Sequence, residues 1–421
     1  MIIIRLAWQS IFNRKFTTIL TILSIAVSTM MLLGVEKIRL AARTSFINTI
    51  SGTDLVVGSR TGDVQLLLYS VFHIGDATAN VTWKTLEDIK KRKEVKWIVP
   101  IALGDSHRGY RVVGTSSEYF NRFRYRRNIP LRFSEGRKFS DLFDAVIGAD
   151  VARKLNYKIG NQIVLAHGTG PVSIGKDHGD TPFQVSGILA PTGTPVDRAV
   201  HVSMEAIEAI HVGWETGSFT DQGEKNSPEN LRKMDLSPKE VTAMYVGLKT
   251  KMSTFSLQRW INAYLHEPIT AILPGVVFGQ LWSMIGSVEK TLFIVSSMVV
   301  FTAILGMIIS ILASLNERRR EMAILRSIGA KPVQVFTLFA SEATTISFLG
   351  VLFGFIGLYG VLFLIQPFIE SFTGLYFEIS APKWNEIILM FTILGSGFLA
   401  GIVPALQAYR TSLSDGLMIR G

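Results

Sequence analysis

Four stretches of this chain run for twenty residues or more without an Asp, Glu, Lys or Arg: Phe16–Val35, Thr291–Leu315, Ala343–Ile369 and Ile387–Tyr409. A helix rises 1.5 Å per residue, so about 20 apolar residues cross the ~30 Å hydrocarbon layer. The pattern predicts four transmembrane helices. The first run exceeds the h-region of a cleaved signal peptide, and no A-x-A site follows it. Between the first and second runs the pattern changes to short alternating segments. β-like runs at Asp54–Val57, Val95–Leu103, Tyr110–Val113, Gln162–Leu165, Phe183–Leu189 and Met244–Leu248 are interleaved with helix-like Trp83–Lys91, Ala149–Leu155, Ser203–Ile210 and Ser253–Leu265. That interleaving predicts an α+β domain in two lobes, with 36–52 and 279–290 as helical stalks and Ser218–Pro238 as a polar loop. The chain therefore divides into 1–35 (an interfacial helix and the first span), 36–290 (the inserted domain) and 291–421 (three further spans).

Composition sharpens this division. Of 421 residues only 18% are charged, and 48% are hydrophobic. The inserted domain holds 32 of the 43 Lys and Arg and 26 of the 33 Asp and Glu. The net charge of +10 fits basic residues flanking spans better than a nucleic-acid partner. With no cysteine, disulfides and thiolate metal sites are excluded. Arg5, Arg14 and Lys15 precede the first span, and Arg318, Arg319, Arg320, Arg326 and Lys331 fill the loop after the second. Arg410 and Arg420 follow the fourth, whereas the short loop between spans three and four carries Lys383 beside Glu370, Glu378 and Glu386. The positive-inside rule then puts both termini and the 316–335 loop in the cytoplasm and 36–290 outside.

The spans carry no ionisable residue at their centres, and Glu342 is expected at the cytoplasmic start of the third, within reach of water or a partner. Ion-coupled carriers keep buried carboxylates or histidines for their relays, so that class is disfavoured. Small-residue faces occur instead: Gly350, Gly354 and Gly357 in the third span, and Gly397 and Gly401 in the fourth. Such spacing allows close helix approach, within one chain by preference or across a dimer. The first dozen residues, with Trp8, fit an interfacial helix against lipid. Gly170–Lys176 mimics a phosphate-binding loop, but Asp177 stands where Ser or Thr must hold magnesium, so ATP is not expected to bind this chain. His167, His178, His201 and His211 fall within 45 residues with Asp177 and Asp180 nearby and could bind zinc, but with no i,i+4 pair they read first as scattered surface residues. The cluster Arg122, Arg124, Arg126, Arg127 and Arg132, interleaved with Phe120, Phe123, Tyr125 and Phe133, could meet lipid headgroups or an acidic partner, or form a solvated edge. No G-x-S-x-G elbow supports a hydrolase.

The loop after the second span is the most informative segment. Its charges come first, then Met322, Ile324, Leu325 and Ile328 form an apolar set ahead of Gly329 and Pro332, which suit a helix stop. Glu317, Arg318, Glu321, Leu325, Arg326, Gly329 and Ala330 follow the E-R-x-x-E-x-x-x-L-R-x-x-G-A run of the FtsX-like permease family, which includes MacB-type and LolC/LolE-type ABC transporter subunits. Pro404, Ala405, Ala408 and Arg410 resemble its closing P-A-x-x-A-x-R, although Ser412–Leu417 departs from the usual continuation. Gly136–Phe139, Ala145–Leu155 and Ile159–Leu165 are similar to elements of the MacB-like extracytoplasmic core. The resemblance spans nearly the whole chain. It implies a multi-pass permease of a bacterial inner membrane, working as a homodimer with a separate cytoplasmic ATPase that uses ATP and Mg, and itself without catalytic residues or cofactor. The segment 316–332 would be the coupling helix, with Glu317, Arg318, Arg320, Glu321, Ile324, Leu325, Arg326 and Gly329 as its contact residues. A periplasmic adaptor or substrate-binding partner is also implied. The alternative is an FtsX-like regulator of a periplasmic partner such as a cell-wall hydrolase. Neither the substrate nor the direction of transport can be read from these residues.

Overall fold

A computed structural model describes residues 15–47, 49–126, 128–167, 182–212, 228–317, 329–373 and 381–410. Its principal helices are α1 (Lys15–Ile47), α2 (Asp63–Phe72), α3 (Trp83–Lys90), α4 (Glu118–Arg122), α5 (Ala149–Leu155), α6 (Met204–His211), α7 (Thr254–Asn262), α8 (Pro274–Glu317), α9 (Pro332–Thr373) and α10 (Trp384–Arg410). The strands of its large sheet are β1 (Leu55–Ser59), β2 (Val95–His107), β3 (Tyr110–Thr115), β4 (Phe133–Gly136), β5 (Asp144–Ile147), β6 (Gln162–Ile163), β7 (Ala166–His167), β8 (Phe183–Leu189), β9 (Ala199–Ser203), β10 (Ala243–Leu248) and β11 (Ile269–Ile272). The chain forms two compact units, one built on α1 as far as Ala42, Ile285–Pro367 and α10, the other on Arg43–Met284.

In the inserted unit the eleven strands form a single mixed sheet in the order β11-β1-β10-β2-β3-β9-β5-β8-β4, with β7 added to β2 and β6 to β8. The β3–β9 and β5–β8 pairs are parallel, and the other ladders are antiparallel. Side chains alternate across a strand, and here both faces are covered. Val56 joins a core with Leu67, Tyr69, Val113 and Phe120, while Leu55 and Val57 face Leu86, Ile89, Leu257 and Ile261 on the other side. Farther along, Ala145, Ile147, Val185 and Val200 pack on Val151, Ala206 and Ile210. The two expected lobes are thus two halves of one sheet. Two-sided burial also explains why β1 reads as a continuous apolar run and gives no amphipathic alternation.

At the rim, Gln258 Nε2 donates to the Ala271 carbonyl at 3.0 Å and Ala271 N–H donates to Asn262 Oδ1 at 2.7 Å. The open edge of β11 is therefore occupied by side chains of α7, which blocks pairing with a foreign strand.

The other unit supplies four helices long and apolar enough to cross a membrane: Lys15–Leu40, Gly286–Ala313, Pro332–Gln366 and Trp384–Gln407. All four contribute to one core, with Ile25 and Leu32 from α1, Met307 and Ile311 from α8, Phe339 and Ala343 from α9, and Ile393 and Ala400 from α10. The third helix begins well before the apolar run at Ala343. Pro332 opens it, where the missing N–H costs nothing, and Lys331 N–H donates to Gln334 Oε1 at 2.9 Å.

Candidate functional site

The five glycines expected to pack helices lie at two seams. A Cβ at Gly350 would stand 2.6 Å from Ile25 Cγ2, and one at Gly354 would stand 2.6 Å from the Ala26 carbonyl and 2.7 Å from Thr29 Cβ. Gly357 faces Met30 Sδ more loosely, at 3.7 Å. These three bring α9 onto α1. Gly397 meets Ser347 and Gly401 meets Ala343 Cβ, so the α10–α9 seam uses the same device. Short polar side chains reinforce the bundle: Ser347 Oγ reaches Met307 Sδ at 3.4 Å, and Ser28 Oγ reaches the Val299 carbonyl at 3.4 Å. Both seams lie within the chain.

Charge enters this unit where the sequence reading did not place it. Glu342 is not at a wet helix start. It is the eleventh residue of α9 and only 5% exposed, because that helix begins at Pro332. At the end of the bundle that leads into the inserted unit, Lys37 Nζ lies 3.3 Å from Glu386 Oε1, and Glu386 is 1% exposed. Arg39 grips both oxygens of Glu36 at 2.7 and 2.8 Å and reaches Glu289 Oε2 at 3.6 Å. Lys37 also sits over the Tyr359 ring, 4.9 Å from its centroid. One ionic cluster therefore ties α1 to α8 and α10 and touches α9. Its members flank apolar runs at a common end, which is the one sequence signal that could have pointed to them.

Of the coupling segment, Arg318, Arg320, Glu321, Ile324, Leu325 and Arg326 lie outside the described residues, as does the loop 170–176. Glu317 closes α8. Gly329 has φ +102°, a backbone region that favours glycine, and marks the approach to α9.

In the inserted unit the aromatic members of the arginine-rich segment turn inward, with Phe120, Phe123 and Tyr125 all buried. Arg122 pairs with Glu118 at 2.8 Å, Arg132 is exposed, and Arg127 lies outside the described residues. His178 also lies outside them, and His211 Nδ1–H donates to the Ile207 carbonyl at 2.6 Å. Among the described residues no three His, Asp or Glu side chains converge as metal ligands.

His201 is not a surface residue. It is fully buried on β9, packed against Tyr119 and Phe120 with centroids 5.2 and 6.0 Å away. Nδ1–H donates to the Val146 carbonyl at 3.3 Å, and Nε2 has no hydrogen-bond partner. Burial pushes this imidazole down to about 4, against a weaker upward pull from the Val146 carbonyl. An unfolded histidine titrates near 6.5, so the unfolded chain takes up the proton first. Stability contributed by neutral His201 is therefore complete above pH ~6.5 and falls by about 1.4 kcal/mol per pH unit toward pH ~4. Burial also pushes His73 down, to about 3, so both histidines contribute to the acid limb of the full chain's unfolding, and His201→Phe should reduce its slope by about 1.4 kcal/mol per pH unit without abolishing it. An unchanged slope in that variant would remove His201 as a source.

Four apolar helices with a mixed α/β sheet unit inserted between the first and second define a multi-pass membrane protein carrying one large inserted domain. Residues 18–263 match the MacB-like periplasmic core domain and residues 293–413 the FtsX-like permease C-terminal domain. The chain belongs to the MacB/FtsX family of ABC transporter permeases. The Macrolide export ATP-binding/permease protein MacB of Burkholderia pseudomallei is 26% identical over 142 residues, covering 32% of this chain and 21% of that protein. MacB of Burkholderia thailandensis gives the same identity and coverage. The matched stretch thus spans about a fifth of the length of these relatives. The extracellular domain of the noncanonic ABC-type transporter YknZ from Gram-positive bacteria aligns at TM-score 0.30 and 14% identity, over 52% of this chain and 98% of that one. The periplasmic region of MacB from Actinobacillus actinomycetemcomitans aligns at TM-score 0.33 and 10% identity, over 56% and 95%.

Proposed function

We propose that this chain is the membrane subunit of a MacB/FtsX-type ABC transporter and couples ATP hydrolysis in a separate cytoplasmic ATPase to movement of its inserted domain, for export, extraction or release of a substrate. In this reading both termini and the 316–332 segment are cytoplasmic and the inserted domain is periplasmic. One observation carries it: α8 is a single helix of 44 residues that starts twelve residues ahead of its membrane-crossing stretch at Gly286. At 1.5 Å per residue it is about 66 Å long, roughly twice the hydrocarbon thickness. A helix of that length whose far end closes on the 316–332 segment is suited to pass a displacement along its axis. α1 continues in the same way past Leu40 to Ile47. The core between the four helices is filled by apolar side chains and close glycine contacts, which favours levers over a conduit.

The coupling claim is tested by co-purification with candidate ABC ATPase subunits of the same organism. Leu325→Asp is expected to cost about 2 kcal/mol at a packed contact, which is more than tenfold in affinity. Glu321→Ala and Arg326→Ala should weaken the complex and its ATPase rate in the same direction. Assembly and hydrolysis at wild-type levels in all three variants would defeat the assignment of 316–332.

A further inference from the structure

The external face of α7 is unusual for a protein surface. Met252, just ahead of the helix, is 94% exposed, Phe255 is 67% exposed and Leu265, just beyond it, is 95% exposed. Single exposed apolar residues are ordinary, but large ones clustered on one element mark interaction surfaces. Phe255, Gln258, Arg259, Asn262 and Ala263 line an open groove of about 440 Å³. Within α7, Phe255, Arg259 and Asn262 are spaced four and three residues apart, which places them on one helical stripe, with Met252 in the 3-10 turn before it and Leu265 beyond its end.

The chemistry of the groove narrows its occupant. Its two amides are already committed, because Gln258 and Asn262 bind the Ala271 carbonyl and N–H. The same bonds close the β11 edge, so an incoming β-strand finds no ladder to join. The Arg259 guanidinium has no ion pair or side-chain hydrogen bond among the described residues. Lys249 and Lys251 are exposed on the preceding turn, Arg60 Nη2 bonds the Asn262 carbonyl at 3.1 Å, and residues 249–266 contain no Asp or Glu. The acidic groups nearest this stretch are engaged, Glu267 with Thr82, Asp88 with Tyr264 and Glu94 with Arg92, so the charge beside the groove is net positive, which disfavours a second copy of the same surface and attracts carboxylates. Met and Phe supply the adaptable and the rigid apolar anchors that such contacts use.

We propose that this stripe is a docking surface for an acidic amphipathic helix of a partner protein. Apolar side chains of that helix pack between Met252, Phe255 and Leu265, and its carboxylates pair with Arg259 and the flanking lysines.

The test places a benzoylphenylalanine at position 255 of the full chain in living cells, with the same probe at exposed Lys154 as control. After irradiation, the joined peptides are identified by mass spectrometry. The expected adducts from position 255 fall in one protein, in a segment with apolar residues three and four apart and carboxylates beside them. Arg259→Glu should lower the yield about tenfold or more, as reversal of an interfacial charge does. Changing the mapped carboxylate to Lys in the partner should restore it. The proposal is overturned by adducts confined to lipid or to a second copy of this chain, or by a yield no higher than at position 154. It is equally overturned by a partner segment without carboxylates, or by a yield that Arg259→Glu leaves unmoved.

Discussion

Replacing Glu386 with Ala should destabilise the four-helix unit by about 3–5 kcal/mol, the usual consequence of removing one member of a buried ion pair. The carboxylate is 1% exposed and stands 3.3 Å from the Lys37 ammonium, which is itself 10% exposed. Deleting it takes from a largely buried ammonium its carboxylate at 3.3 Å, and breaking a buried pair on one side costs more than the pair was stabilising. Lys37→Met should be at least as damaging, because neither Glu386 oxygen has a hydrogen-bond partner to fall back on. The double variant Lys37→Met, Glu386→Leu should recover much of the loss, since it leaves neither charge buried alone. Unfolding of the three variants in detergent supplies the double-mutant cycle. A double variant as unstable as the two single losses added together would show that the pair is not coupled.

Gly354→Leu should force α9 away from α1 and cost about 2–3 kcal/mol as an overpacked site. Even the first added carbon would meet the Ala26 carbonyl at 2.6 Å, and a backbone oxygen in a helix cannot swing aside as a flexible side chain can. Gly350→Leu acts on the same seam against Ile25, so the double change should lose more than either alone. Gly360→Leu is the control, because on the same helix nothing lies within 4 Å of its added carbon. Glycine within a helix is about 1 kcal/mol less favourable than Ala, so the control should be neutral or slightly stabilising. The chain has no cysteine, so an introduced pair across α1 and α9 would report their separation directly by crosslinking. Equal loss at 354 and 360 would mean that general helix effects, and not the seam, control stability.

The elements that were legible in sequence are those whose signal is local. β8 occupies Phe183–Leu189 and α5 occupies Ala149–Leu155, each with the bounds its pattern predicts. α6 and α3 are also found near their predicted ranges, each with an N-cap, Ser203 or Thr82, whose side chain accepts a backbone N–H in the first turn. By contrast β9, β11 and α2 give no such local signal. β9 and β11 are only five and four residues long, and α2 is apolar throughout most of its ten. Short apolar runs do not distinguish strand from helix by periodicity. The candidate site divides in the same way. The glycine spacing was visible, but the side chains it packs against were not, since Ile25 and Gly350 are hundreds of residues apart. Glu36, Lys37, Arg39, Glu289 and Glu386 looked like charges bordering an external domain, because nothing local says that they meet.

By itself, the sequence determined how many helices can cross a membrane and where the large domain is inserted among them. A hydrocarbon layer demands about 20 apolar residues whatever the neighbours are, so run length alone decides. Tertiary structure alone decided that one mixed sheet joins both halves of the domain, that Glu342 and His201 are buried, and that Lys37 finds Glu386. Pairings of that kind depend on which distant surfaces meet, and burial changes the energy of a charge or an imidazole only after they have met.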